Sequence, residues 1–135
     1  MKLRFIGNVD ILLKGIELLR NDLSIEICTD SSKADETTIE VEVSTGKGIY
    51  IALKNGKGYI AYKEKIHFFR ALGLFVEKMR EYEQSGIYND FEFFEDIYFD
   101  KNGIMFDVSR NAVLKPDTIK YFLRKMALMG LNLGM

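Results

Sequence analysis

From Gly103 onward the chain reads strand, loop, helix, strand, and that order constrains its fold more than any other feature. Ile104, Met105, Phe106, Asp107 and Val108 form a β-prone run, Ser109, Arg110 and Asn111 follow, and Leu131, Leu133 and Met135 begin a second apolar run. Between them Pro116 opens a helix and Gly130 closes it. Proline at the first helical position sacrifices no hydrogen bond, Asp117 in the first turn suits the helix dipole, and glycine just past the last turn takes the left-handed conformation that stops it. Strand, crossover helix and parallel strand make one βαβ unit, and a parallel strand is stable only when neighbours cover both its faces. The expectation is the front portion of a longer, truncated protein. A small α+β domain spans 1–99, and 100–135 carries the first strand, first helix and opening of the second strand of a larger α/β domain. The alternative is a short terminal strand docked on the edge of the first domain's sheet.

Upstream, the hydrophobic period switches between two and three-to-four. Residues 2–6 are a short strand ended by Gly7, after which Asn8 offers a cap to a helix striped by Val9, Leu12, Leu13, Ile16 and Leu19. Residues 23–29 alternate as a second strand, and 30–36 are a polar loop. In 38–44, Ile39, Val41 and Val43 alternate with Glu40, Glu42 and Ser44, a strand with one wet face for which antiparallel pairing is the natural expectation. Asn55-Gly56 between residues 49–54 and 57–62 predicts a two-residue hairpin, because a type I′ turn needs positive φ at both centres. Lys54 then faces Lys57, and Ile49, Ile51, Ile60 and Tyr62 share one side.

Phe68, Leu72, Phe75, Met79 and Tyr82 recur at four-three-four-three steps, predicting a long amphipathic helix over about 66–84 with His67, Arg70, Glu77, Lys78 and Glu81 on its outer side. Two helices against a mostly antiparallel sheet of about five strands make a two-layer α+β sandwich. Residues 87–100 interleave Tyr88, Phe91, Phe93, Phe94, Tyr98 and Phe99 with Asp90, Glu92, Glu95, Asp96 and Asp100. The alternation there favours a strand with a solvated face over paired catalytic carboxylates. Asp100-Lys101-Asn102-Gly103 has its glycine too early for a calcium loop and reads as a turn at the domain boundary.

Composition removes several function classes. Nineteen basic and twenty acidic residues give a formal charge of −1, so no global field draws nucleic acid or an anionic membrane, and no apolar run reaches membrane-spanning length. The N-terminus lacks a signal-peptide pattern, which makes the cytoplasm the default compartment. The single cysteine, Cys28, reads as a strand residue on a polar or half-buried face, and the single histidine, His67, as a surface residue. No phosphate loop, no nucleophile beside a base and no metal-ligand cluster is present, so no metal or cofactor is expected.

Chemistry concentrates after residue 103. Residues following a strand's carboxyl end form the ligand-facing surface of α/β folds, which places Ser109, Arg110 and Asn111 there. An arginine at that point can grip two acceptors of a polar substrate, with Asp107 orienting it, or it can form a structural Arg–Asp pair.

The residues Asn102-Gly103-Ile104-Met105-Phe106-Asp107-Val108-Ser109-Arg110-Asn111-Ala112-Val113-Leu114, with Arg124-Lys125-Met126-Ala127-Leu128-Met129-Gly130-Leu131-Asn132, resemble the opening of the catalytic barrel of glycoside hydrolase family 20, the β-N-acetylhexosaminidases. The match covers about a quarter of the chain, and the upstream α+β module fits the kind of domain that precedes this barrel. The resemblance implies a (β/α)8 barrel that removes terminal N-acetylglucosamine or N-acetylgalactosamine with retention, the substrate's acetamido oxygen acting as nucleophile. It makes Arg110 the substrate-binding residue for sugar hydroxyls, supported by Asp107. The catalytic Asp–Glu pair lies further along such a barrel, so no catalytic residue falls in this sequence and the fragment is expected to be inactive. Asn111 departs from the histidine frequent at that position. The partner expected is an N-acetylhexosamine-containing glycan, not nucleic acid or membrane, and the uncovered helix face favours self-association of the fragment. The rival reading is a stand-alone, non-catalytic binding or scaffolding α+β domain in which Arg110 is structural.

Overall fold

A computed structural model describes residues 1–30, 34–86, 89–107, 109 and 113–135. It is an α+β fold of strands β1 (Lys2–Gly7), β2 (Glu26–Ile27), β3 (Thr38–Thr45), β4 (Ile49–Lys54), β5 (Lys57–Tyr62), β6 (Phe91–Glu95), β7 (Gly103–Ile104) and β8 (Leu133–Gly134) with helices α1 (Leu13–Leu19), α2 (Lys65–Ser85) and α3 (Pro116–Met129). Six strands form one sheet in the order β2-β1-β3-β5-β4-β6, and β7 pairs with β8 in a second.

The hairpin matches its sequence pattern. Lys54 pairs with Lys57 and Ile51 with Ile60, while Asn55 at φ 51° and Gly56 at φ 76° supply the two positive dihedrals of the turn. The side chains of Ile49, Ile51, Ile60 and Tyr62 are all buried. They share the core with Leu3, Val41 and Val43 and with Phe68, Leu72, Phe75 and Met79 of α2. Gly58 in β5 sits where the Phe75 ring crosses the sheet, and a β-carbon there would lie 2.7 Å from that ring. Opposite faces of the same strands carry ion pairs: Arg4 with Glu40 at 3.0 Å, Lys57 with Glu42 at 3.0 Å and Lys54 with Glu92 at 2.8 Å.

Three expectations about the first part of the chain are corrected. The sheet is mixed and not mostly antiparallel, with six strands in place of five: β3 runs parallel to both β1 and β5, and β2 is parallel to β1. Alternation of apolar and polar residues reports how many faces are buried, not strand direction. Here the hairpin places β5 beside β3 and displaces β4 outward, which sets the direction. Helix α1 begins at Leu13 without a side-chain cap, so Asn8 does not serve as its N-cap; residues 9–12 form a turn in which Val9 accepts the Leu12 and Leu13 N–H groups. Cys28 is buried just beyond the two-residue β2, where its thiol donates to the Asp30 carbonyl at 3.1 Å.

The C-terminal unit follows the expected order. Helix α3 starts at Pro116 and stops at Gly130, whose φ of 75° is left-handed. β7 and β8 are parallel, Gly103 opposite Leu133 and Ile104 opposite Gly134, and Met135 N–H donates to the Ile104 carbonyl at 3.1 Å. The terminal strand therefore pairs within its own βαβ segment, which excludes the alternative of docking on the first sheet's edge. Asn132 clasps the strand entrance: its Oδ1 accepts the Asn102 N–H at 2.9 Å and its Nδ2 donates to the Asp100 carbonyl at 2.8 Å.

Helix α3 packs on α2, closest where glycine removes a side chain. A β-carbon at Gly73 would lie 3.4 Å from the Leu128 carbonyl oxygen, and one at Gly130 would lie 3.3 Å from the Arg70 β-carbon. Asp22, in the turn after α1, ties the far side down: its carboxylate accepts from Arg124 Nε at 2.6 Å and Lys125 Nζ at 3.1 Å while only 12% exposed. Burial alone would raise the Asp22 pKa, but the two cations outweigh it and hold the carboxyl below its ordinary value.

Candidate functional site

Two regions are candidate sites: the loop after β7, which the sequence singles out, and a pocket it does not. Asp107 follows β7 closely and is exposed. It takes the Ser109 hydroxyl, and its Oδ1 accepts the Ser109 backbone N–H at 2.8 Å, which together hold the carboxyl below its usual range. Asp107 is therefore ionised at neutral pH and tied to Ser109. Arg110, the candidate substrate-binding residue, lies outside the described residues, as do Val108, Asn111 and Tyr88. The expected strand through residue 108 is described only as β7, with one further ladder bond from Phe106 N–H to the Met135 carbonyl at 2.6 Å.

The pocket lies where the N-terminal half of α2, the end of β6, the loop behind it and the C-terminus of α3 converge. Its volume is about 230 Å³. Arg70 and Glu95 meet there, Arg70 Nη2 to Glu95 Oε2 at 3.3 Å, each about one-third exposed (31% and 34%). Tyr98 and Phe99 line the same pocket with 82% and 71% of their surface in solvent.

His67 forms part of its wall and corrects the surface reading made from sequence: it is buried, with 7% exposure. It stands at the third position of α2, where its Nδ1 accepts the Glu64 backbone N–H at 3.1 Å and so caps the helix. That bond needs a lone pair on Nδ1, so the ring is neutral and carries its proton on Nε2. Burial lowers its pKa, and the nearby Glu64 and Glu95 carboxylates only partly offset this. Glu64 and His67 stand at capping-box spacing, although the usual residues of that box are Ser or Thr and Glu or Gln, so the pattern does not announce itself in the sequence. Glu95 shares with Phe91 and Phe93 the alternating side of β6 that faces α2, which is why it reaches Arg70 and does not face open solvent.

A larger groove of about 750 Å³ opens at the opposite end of the sheet, by the starts of β1 and β3. Asp35 organises its rim, accepting from the hydroxyls of Thr37 at 2.7 Å and Thr38 at 3.0 Å and from Lys2 at 2.9 Å. These bonds hold the Asp35 carboxyl far below the normal carboxylate range. The cluster fixes the entrance to β3. Among the described residues no group of three or more His, Cys, Asp or Glu is arranged to hold a metal ion, and no helix is long and apolar enough to cross a membrane.

A scan against protein-family models finds no match for this chain, and a search of curated proteins finds none either.

Proposed function

We propose that this chain is the N-terminal part of a cytoplasmic β-N-acetylhexosaminidase of glycoside hydrolase family 20. In this reading the six-stranded sheet with α1 and α2 is a two-layer accessory module, and β7–α3–β8 is the first unit of the catalytic (β/α)8 barrel. The observation that carries it is the parallel pairing of β7 with β8 across α3, joined to the Asp-Val-Ser-Arg sequence at the strand's carboxyl end. A parallel pair is stable inside a larger sheet, and among the described residues β7 and β8 have only each other. Helix α3 leaves Tyr121, Leu123 and Met129 exposed, the surface that adjoining barrel units would cover.

Arg110 then grips hydroxyls of the terminal sugar, its planar fork matching two oxygens at once, and Asp107 supports the loop that presents it. The Asp–Glu pair that polarises the acetamide and protonates the leaving oxygen is supplied by later barrel strands. The test is turnover of a chromogenic N-acetylglucosaminide by the 135-residue chain and by the protein extended with its downstream coding sequence. Hydrolysis by the extended protein alone supports the reading; hydrolysis by the pure 135-residue chain, or by neither protein, overturns it.

One observation favours a second reading, a self-sufficient binding or scaffolding domain. Helix α3 is ion-paired to Asp22 and packed on α2, so the C-terminal unit is anchored to the first sheet's layer of helices. A stop codon directly after Met135 in the gene would decide for it.

A further inference from the structure

We propose that the pocket between α2, β6 and α3 binds a single neutral pyranose, independently of the loop that carries Arg110. Its volume of about 230 Å³ equals that of about eight waters in the liquid, enough for one hexose and little more. The charges in its lining are one guanidinium and two carboxylates, Arg70 with Glu95 and Asp96, beside a neutral His67. Arg70 is already matched by Glu95, so an anionic ligand would meet net negative charge.

A polyol suits the same groups. The ion pair engages one guanidinium nitrogen and one carboxylate oxygen, which leaves Arg70 donors for sugar oxygens and Glu95 and Asp96 acceptors for sugar hydroxyls. Tyr98 and Phe99 supply what a sugar ring needs on its apolar side. Both are large aromatics exposed to solvent in a lining that mixes polar and apolar groups, where a stacked C–H face would recover the surface they expose. The pocket borders the segment entering β7, through Asn102, whereas Arg110 follows the strand's other end, so the two sites are separate along the chain.

The test uses the isotopically labelled 135-residue chain, titrated with glucose, N-acetylglucosamine and choline while backbone amide shifts are recorded. Saturable shifts are expected with at least one of the two sugars at Glu95, Asp96, Tyr98 and Phe99. Tyr98→Ala and Glu95→Gln should each weaken that binding tenfold or more, and the exposure of Tyr98 makes the first variant safe for folding. Absence of saturable shifts with both sugars, a response to choline in their place, or undiminished sugar binding by Tyr98→Ala would overturn the proposal. None of these outcomes depends on glycosidase activity, so this site and the Arg110 reading fail or stand separately.

Discussion

Replacing Asp22 by asparagine tests how the C-terminal unit is held. Asparagine keeps the shape and one acceptor oxygen but turns an amide toward a cation, so the contact to Arg124 Nε at 2.6 Å or to Lys125 Nζ at 3.1 Å is lost and the other becomes a neutral-acceptor bond. Hydrogen bonds to charged groups contribute about 1.5–3 kcal/mol. The two cations are 35% and 39% exposed and recover hydration when released, so the net loss is placed at about 1–2 kcal/mol. For a chain of this size that lowers Tm by roughly 5 °C. The loss should be local first: hydrogen exchange in α3 should accelerate by about tenfold while the hairpin amides of β4 and β5 keep their protection. A double-mutant cycle with Arg124→Met should return a coupling smaller than the single-variant loss, because Lys125 holds the other carboxylate oxygen. The native carboxyl titrates below its ordinary value, so its contribution is present above about pH 4 and disappears as pH falls through the lowered pKa. Unchanged α3 exchange in Asp22→Asn would refute the argument that this ion triad docks the helix.

Three further outcomes follow from packing and titration. His67 has a folded pKa below its unfolded value near 6.5, so the native state binds fewer protons; stability should be full above about pH 6.5 and decline as pH falls through the folded pKa, a slope that His67→Ala abolishes in urea titrations. Gly58→Ala places a carbon 2.7 Å from the Phe75 ring and 3.0 Å from Val41, and should cost about 1–3 kcal/mol by denaturant unfolding; a neutral result would mean the sheet–helix contact is loose. Ile119 and Leu123, one turn apart on α3 and both exposed, should drive self-association detectable by sedimentation at micromolar concentration and reduced by Leu123→Lys, whereas a strict monomer would show that face to be content in water.

The sequence made those elements legible whose cause is local. Asn55-Gly56 fixes its own turn and hence the Ile51–Ile60 register, and Pro116 and Gly130 mark the ends of α3 within a residue. The core stripe Phe68, Leu72, Phe75 and Met79 is buried as its spacing requires. What the pattern did not carry was anything decided by a distant partner. Strand direction in the sheet depends on where the hairpin docks, and His67 is buried because its ring turns back to the Glu64 N–H among elements that converge around it. Arg70 lies on the outer side by helical spacing alone, yet α3 and β6 close over it. In the candidate loop, spacing identified Asp107 as a supporting group, and its described partner is Ser109, two residues on.

The proposed function rests on position 110 supplying the sugar-gripping guanidinium of a β-N-acetylhexosaminidase. Its most direct test is kcat/KM for a chromogenic N-acetylglucosaminide, measured on the extended enzyme and on its Arg110→Ala variant. Loss of a charged bidentate contact of about 3–4 kcal/mol corresponds to a fall of roughly two to three orders of magnitude, which is the expected result. An unchanged kcat/KM in Arg110→Ala would contradict the account.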